Sequence, residues 1–152
     1  MPHDALILAL DQGTTGTTAL LLDRAGRVRG RGYAELPQIF PRPGWVEHDP
    51  DAIWSTVLAA GGRALAAAKV PRTRIAAIGV TNQRETTLLW DRRTGEPVAN
   101  AIVWQDRRTA ERCDELKRRS EHVIRRMTGL VCDPYFSATK LEWLLEHHAR
   151  AR

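Results

Sequence analysis

Apolar and polar positions fall into short blocks along the first third of the chain. Residues 5–10, Ala-Leu-Ile-Leu-Ala-Leu, form an unbroken apolar run that ends at Asp11. Such a run predicts a strand covered on both faces. Thr18-Ala-Leu-Leu-Leu-Asp23 predicts a second strand, and Val28 to about Leu36 a third. Between the second and third, Asp23-Arg-Ala-Gly26 places Asp first and Gly fourth, the signature of a type I turn. The opening therefore reads as a three-stranded antiparallel meander. Its first turn is the polar, glycine-bearing loop Asp11-Gln-Gly-Thr-Thr-Gly-Thr17.

Residues 37–50 carry four prolines and no periodicity, which predicts a loop. Asp49 then reads as a helix N-cap with Pro50 at the first helical position. Ile53, Trp54, Val57, Leu58, Gly61, Leu65 and Ala68 give one apolar helical stripe, ended by Pro71. Gly61 and Gly62 each cost about 1 kcal/mol relative to alanine inside a helix, so a close packing contact is expected there. Ile75-Ala-Ala-Ile-Gly-Val80 reads as another buried strand. Thr86 to Trp90 and Ala99 to Trp104 read as paired strands joined through Asp91–Gly95. From Asp106 the pattern turns helical. Ser120 is expected to cap a short helix carrying Val123, Ile124 and Met127 and closed by Gly129, and a last helix carries Leu141, Trp143, Leu144 and Leu145. This order predicts an α/β fold with a mixed sheet and no internal repeat.

Length and composition narrow the class. At 152 residues with 43% hydrophobic and 27% charged positions, the chain can bury a core and is not disordered. No apolar stretch approaches the roughly 20 residues that span a bilayer, and no basic region precedes the first apolar run. Neither a membrane span nor a signal peptide is expected, and the expected location is cytoplasmic. The net charge of +5 could suggest a nucleic-acid partner. The densest basic stretch, Arg107–Arg126, is interleaved with Glu111, Asp114, Glu115 and Glu121, and reads instead as a solvated helix face. Cys113 and Cys132 have no metal-type spacing and read as small buried residues.

Three places could carry chemistry. In Asp11-Gln12-Gly13-Thr14-Thr15-Gly16 a carboxylate closes a buried strand and a tight turn follows. Gly13 and Gly16 let backbone approach a ligand, Thr14 and Thr15 add donors, and Asp11 could hold Mg²⁺ directly or through its waters. An ordinary hairpin turn is the competing reading. In Thr81-Asn-Gln-Arg-Glu-Thr86, the Arg84 donor fork beside the Glu85 acceptor pair suits a polyol, whose hydroxyls donate and accept; a local salt bridge or turn competes. Trp104 and Tyr135 could wall a polyol and fix one end of it, or simply be core.

These residues resemble the FGGY carbohydrate kinases. Ala9-Leu-Asp-Gln-Gly-Thr-Thr15 is similar to that family's first phosphate loop. Pro43-Gly-Trp-Val-Glu-His-Asp-Pro50, Ile78-Gly-Val-Thr-Asn-Gln-Arg-Glu-Thr-Thr87, Asn100-Ala-Ile-Val-Trp-Gln105 with Arg107-Arg-Thr-Ala110, and Asp133-Pro-Tyr-Phe-Ser137 are similar to its glycerol-phosphorylating branch. The resemblance implies an actin-like, ribonuclease-H-like fold, with residues 1–152 as an incomplete N-terminal domain. It implies ATP and Mg²⁺ as cofactors and glycerol as substrate. Arg84 and Glu85 would bind glycerol hydroxyls, Trp104 would form the apolar wall and Tyr135 would hydrogen-bond the substrate. Asp11 would orient Mg²⁺, while Gly13, Thr14, Thr15 and Gly16 would line the phosphates.

Two departures qualify the resemblance. Thr18 stands where the family usually has Arg in the phosphate loop, unless Arg24 or a neighbour substitutes. No acidic residue here matches the family's catalytic base, which is expected beyond Arg152 with the adenine-binding domain. The isolated chain is accordingly expected to be inactive or nearly so, and to self-associate through its last helix. The alternative is an inactive polyol-binding or interaction module derived from such a kinase.

Overall fold

The computed structural model describes residues 5–148. The chain divides into two units. One runs through Pro37 and resumes over Asp51–Gln83; the other comprises Gln38–Pro50 and the chain from Arg84 onward.

The first unit is built on a four-stranded mixed sheet. Its strands are β1 (Leu6–Gln12), β2 (Gly16–Leu22), β3 (Val28–Glu35) and β5 (Ile75–Asn82), in the order β3-β2-β1-β5. The first three form the expected antiparallel meander, and β5 lies parallel to β1. The Asp23 turn forms as its sequence demands: Gly26 N–H donates to the Asp23 carbonyl at 2.9 Å, with Gly26 at φ 73°. Helix α1 (Pro50–Ala68) packs on the sheet, starting at the proline predicted to open it. The core joins Leu6, Leu8, Ala19, Leu21 and Ala34 of the sheet region to Ala60 and Ala64 of α1.

The buried face of α1 is not the stripe of large residues. Thr56, Ala60, Gly61 and Ala64 are buried, whereas Trp54 and Leu58 are 61% and 57% exposed. The cause lies on β3. A Cβ on Gly30 or Gly32 would collide with the α1 backbone at Ala64 and Ala60, so these two glycines admit the helix at close range. Only small residues fit between surfaces that near. The close contact expected at Gly61 and Gly62 is thus made by the strand glycines: a Cβ at Gly61 or Gly62 meets nothing within 4 Å outside the helix's own backbone. Opposite outcomes are expected in urea denaturation. Gly32→Ala should lose about 1–3 kcal/mol by overpacking, and Gly62→Ala should gain about 1 kcal/mol of helix propensity. A Gly32→Ala variant as stable as the parent would refute this packing.

β5 exists as predicted but is not buried. Ile78 and Val80 are 60% and 70% exposed: β5 is an edge strand whose faces are left uncovered among the described residues, unlike the other edge, β3, which keeps buried positions. An apolar run signals burial only where both faces of the sheet are covered.

The second unit holds β4 (Glu47–His48) antiparallel to β6 (Ala101–Ile102), helix α2 (Ala110–Thr128) and helix α3 (Ser137–His147). The proline-rich loop thus contributes a short strand that its composition hid. The expected strand pair around Asp91–Gly95 reduces to bridges at Thr87–Ile102 and Trp90–Pro97. Pro97 has no N–H to extend the ladder, and Ala101–Ile102 pairs with β4. Ser120 caps nothing; it sits mid-way along the single helix α2. Gly129 does end that helix, at φ 74° with its N–H bonded to the Arg125 carbonyl at 2.9 Å. Cys113 and Cys132 are buried free thiols, and burial pushes the Cys132 thiol pKa up. On α3, Leu144 is buried while Leu141 and Leu145 are partly exposed.

Candidate functional site

The first unit carries the glycine loop. Gly13 N–H donates to the Gly16 carbonyl at 2.9 Å, closing the turn between β1 and β2. A Cβ at Gly16 would run into the Tyr33 ring and the Ala34 carbonyl, so glycine is required there by close approach and not by left-handed backbone. The Thr15 carbonyl accepts from Leu36 N–H at 3.0 Å and from the Tyr33 hydroxyl at 3.1 Å. Gln12, buried at the end of β1, donates to the Gly13 carbonyl at 2.9 Å and accepts from Gln83 Nε2 at 3.2 Å. The Gln83 N–H also donates to the Gln12 carbonyl at 2.9 Å. The loop is therefore locked to the end of β5 by a glutamine pair. Beside it, the Asp11 carboxylate is on an exposed residue at the strand end.

Thr18 pairs with Asp11 across β1 and β2. Arg24 cannot stand in for a guanidinium at Thr18. It lies in the turn beyond Leu22 at the far end of β2, and Thr18 to Leu22 alone is four residues or about 13 Å of strand.

The second unit carries the polyol candidates, and there three of them converge. Tyr135 and Trp104 meet edge to face, ring centroids 5.9 Å apart at 67°. Glu85 is joined to the Tyr135 segment through α3. Its Oε2 accepts from Ser137 N–H at 3.0 Å and from Ser137 Oγ at 2.6 Å. Ser137 is the first residue of α3, so this carboxylate caps the positive end of a helix from a distant segment. Lys140 Nζ donates to the Tyr135 carbonyl at 2.6 Å and to the Glu85 carbonyl at 3.2 Å. Glu85 sits at φ 64°, a left-handed conformation uncommon for a residue with a side chain. Such strain costs about 1–3 kcal/mol and persists where surrounding bonds impose it. Arg84, the fourth candidate, is exposed beside Glu85 in the chain, and makes no ion pair with it. Of the two competing readings, the local salt bridge does not form, whereas Arg84 and Glu85 do make a turn.

Lys140 had no signal in the motifs. It is fully buried, and burial pushes its ammonium pKa down to about 8 against the raising influence of Asp106, Glu85 and Asp133. A helical-face signal was available: Lys140 lies four residues before the buried Leu144.

Asp106, adjacent in sequence to the Trp104 segment, is not available as a base. Its carboxylate accepts from Val46 N–H at 2.6 Å and from Arg108 N–H, Nε and Nη2 at 2.8–3.0 Å. Arg108 also reaches Glu47 at 2.7 Å and lies over the rings of Trp45 and Trp143, 3.9 and 4.6 Å from their centroids. This knot is structural. Among the described residues no three His, Cys, Asp or Glu side chains cluster to hold a metal, and no helix is long and apolar enough to cross a membrane.

Comparison with known proteins identifies the family. Residues 6–152 match the sequence profile of the FGGY family of carbohydrate kinases, N-terminal domain. The chain is 59% identical over 149 residues to a glycerol kinase of Trichlorobacter lovleyi, and 56% identical over 149 residues to one of Janthinobacterium sp. (strain Marseille). These matches cover 97% and 96% of the chain, which spans 30% of each relative's length. The fold is similar to that of a Plasmodium falciparum glycerol kinase solved with ADP, with a TM-score of 0.85 and 33% identity over 97% of this chain and 30% of that one.

Proposed function

We propose that this chain, which belongs to the FGGY family of carbohydrate kinases, carries the glycerol-binding residues of an ATP-dependent phosphotransferase that makes glycerol 3-phosphate. The observation that carries the reading is the convergence of Glu85, Tyr135 and Trp104 in one unit, with the two polar residues tied to the same helix. Glycerol, rather than a longer polyol, is supported by 56–59% identity to glycerol kinases.

Each residue has a defined task. Glu85 accepts from glycerol hydroxyls and Arg84 donates to them, while the Tyr135 hydroxyl fixes one end of the molecule. The Trp104 face covers the C–H side. In the reaction a terminal glycerol oxygen bonds to the γ-phosphorus of ATP, the bond to the bridging β–γ oxygen breaks, and ADP leaves. The hydroxyl proton goes to a carboxylate base, a role that Asp106 cannot fill because Arg108 and Val46 occupy it.

The glycine loop is proposed to line the nucleotide phosphates through Gly13, Thr14, Thr15 and Gly16. Asp11 suits Mg²⁺: a single exposed carboxylate beside a phosphate loop matches an ion held mainly by phosphates and water. When bound, Mg²⁺ neutralises phosphate charge. Two free cysteines fit a reducing, cytoplasmic setting.

A coupled assay of the purified chain with ATP, Mg²⁺ and glycerol tests the division of labour. Turnover is expected to be absent or at least about a thousandfold below that of a full-length relative, the scale set by losing positioned catalytic groups. Turnover equal to an intact kinase would place a base within this chain and overturn the assignment.

A further inference from the structure

Two charged or polar groups of α3 do nothing in the proposed reaction, yet both end on the substrate residues. Lys140 is fully buried, and its Nζ bonds two backbone carbonyls, those of Glu85 and Tyr135. A buried ammonium is costly unless it is compensated, and an apolar side chain at this position would fill the core of the second unit without that cost. Ser137, three residues earlier on the helix, spends both its N–H and its hydroxyl on one oxygen of the Glu85 carboxylate. The residue they hold is itself strained, at φ 64°.

We infer that Lys140 and Ser137 are positioning residues that set the spacing and orientation of Glu85 and Tyr135 for a polyol. The inference rests on the glycerol-binding reading above. Lys140 fixes the two backbones to one nitrogen, so that the Glu85 and Tyr135 side chains start from a common anchor. Ser137 fixes the carboxylate through Oε2 and leaves Oε1 without a partner among the described residues. Without the anchor, Glu85 relaxes from its left-handed conformation and its carboxylate leaves the place where a hydroxyl would meet it. Burial pushes the Lys140 pKa down to about 8, so the ammonium is desolvated.

The test has two arms on the full 152-residue chain. In the first, the lysine side chains are labelled with ¹³C at Cε and titrated. There are three, Lys69, Lys117 and Lys140, and Lys69→Arg and Lys117→Arg assign them without touching α3. One resonance, that of Lys140, is expected to titrate near pH 8. Titration of all three at or above the ordinary lysine value of about 10.4 would show that Lys140 is solvated and would overturn the clamp, whether or not glycerol binds.

The second arm measures glycerol affinity by calorimetry. Ser137→Ala is expected to lose about tenfold, the scale of one charge-assisted hydrogen bond, with an unchanged melting curve, and Ser137→Thr is expected to restore it. Unchanged affinity in Ser137→Ala, or no recovery in Ser137→Thr, would overturn the inference. Lys140→Met should lose at least tenfold; if it does not fold, the Ser137 series and the lysine titration decide. Absence of glycerol binding in the parent chain would instead defeat the glycerol reading, and the lysine titration would still judge the clamp.

Discussion

Replacing Arg108 by alanine is expected to cost the second unit about 3–5 kcal/mol, the range for breaking one side of a buried ion pair. The side chains of Arg108 and Asp106 are 1% and 0% exposed. Asp106 accepts three bonds from Arg108 and one from Val46 N–H. The substitution removes the guanidinium bonds and leaves a buried carboxylate with too few donors. It also removes the planar group lying over the Trp45 and Trp143 rings. Lysine would not rescue it, since a point charge cannot reproduce the fork and the stacking together. With domain stabilities of about 5–15 kcal/mol, the loss should take a large share of this unit's stability and lower its urea midpoint. The first unit, with its own core, should keep its denaturation transition. Two observables check this: fluorescence of Trp45 and Trp143, and amide exchange in α2 and α3. In the double variant Arg108→Met/Asp106→Asn the uncompensated Asp106 charge disappears, while Glu47 still lacks its guanidinium partner, and part of the stability should return. An Arg108→Ala protein with the parent's urea midpoint would show that the knot contributes nothing.

Glu85→Gln is expected to weaken glycerol binding by about 10- to 150-fold, because hydrogen bonds to a charged group contribute about 1.5–3 kcal/mol. The substitution keeps the side-chain volume and leaves one oxygen for Ser137. Folding should survive it, since the amide oxygen still accepts from the α3 N-terminus and Lys140 still holds the Glu85 carbonyl. The loss therefore reads the charged acceptor itself. A six-heavy-atom ligand has an upper limit of roughly 9 kcal/mol of binding energy, at about 1.5 kcal/mol per atom. Losing a substantial part of that would put binding below detection at millimolar glycerol.

The elements that came most directly from the sequence are those whose signal is local. β1, β2 and the Asp23 turn follow from an unbroken apolar run and from a four-residue motif, and the Gly129 end of α2 follows from one left-handed residue. What escaped depends on distant segments. The buried face of α1 is set by Gly30 and Gly32 on β3, so the large residues on α1 point to the wrong face. The exposure of β5 is set by its faces having no cover among the described residues. Ser120 marks no boundary because serine is tolerated inside a helix whose neighbours are good helix formers.

The site divides in the same way. Glu85, Trp104 and Tyr135 could be singled out by chemistry, and the structure brings these three together in one unit. Arg84 adjoins them only along the chain and makes no ion pair with Glu85. Lys140 and Ser137 were hidden because lysine at the surface is the usual expectation, and because their partners are backbone carbonyls and a carboxylate more than fifty residues away in the case of Glu85. The role of Gln12 and Gln83 in locking the glycine loop was hidden for the same reason.

The central claim is that Glu85 and its neighbours form a glycerol site in this chain. Calorimetric titration of glycerol into the purified protein, run beside Glu85→Gln, tests it most directly. A saturable heat in the parent, lost in Glu85→Gln while both proteins melt alike, is the predicted result. No heat in the parent, or equal heats in the two proteins, would contradict it.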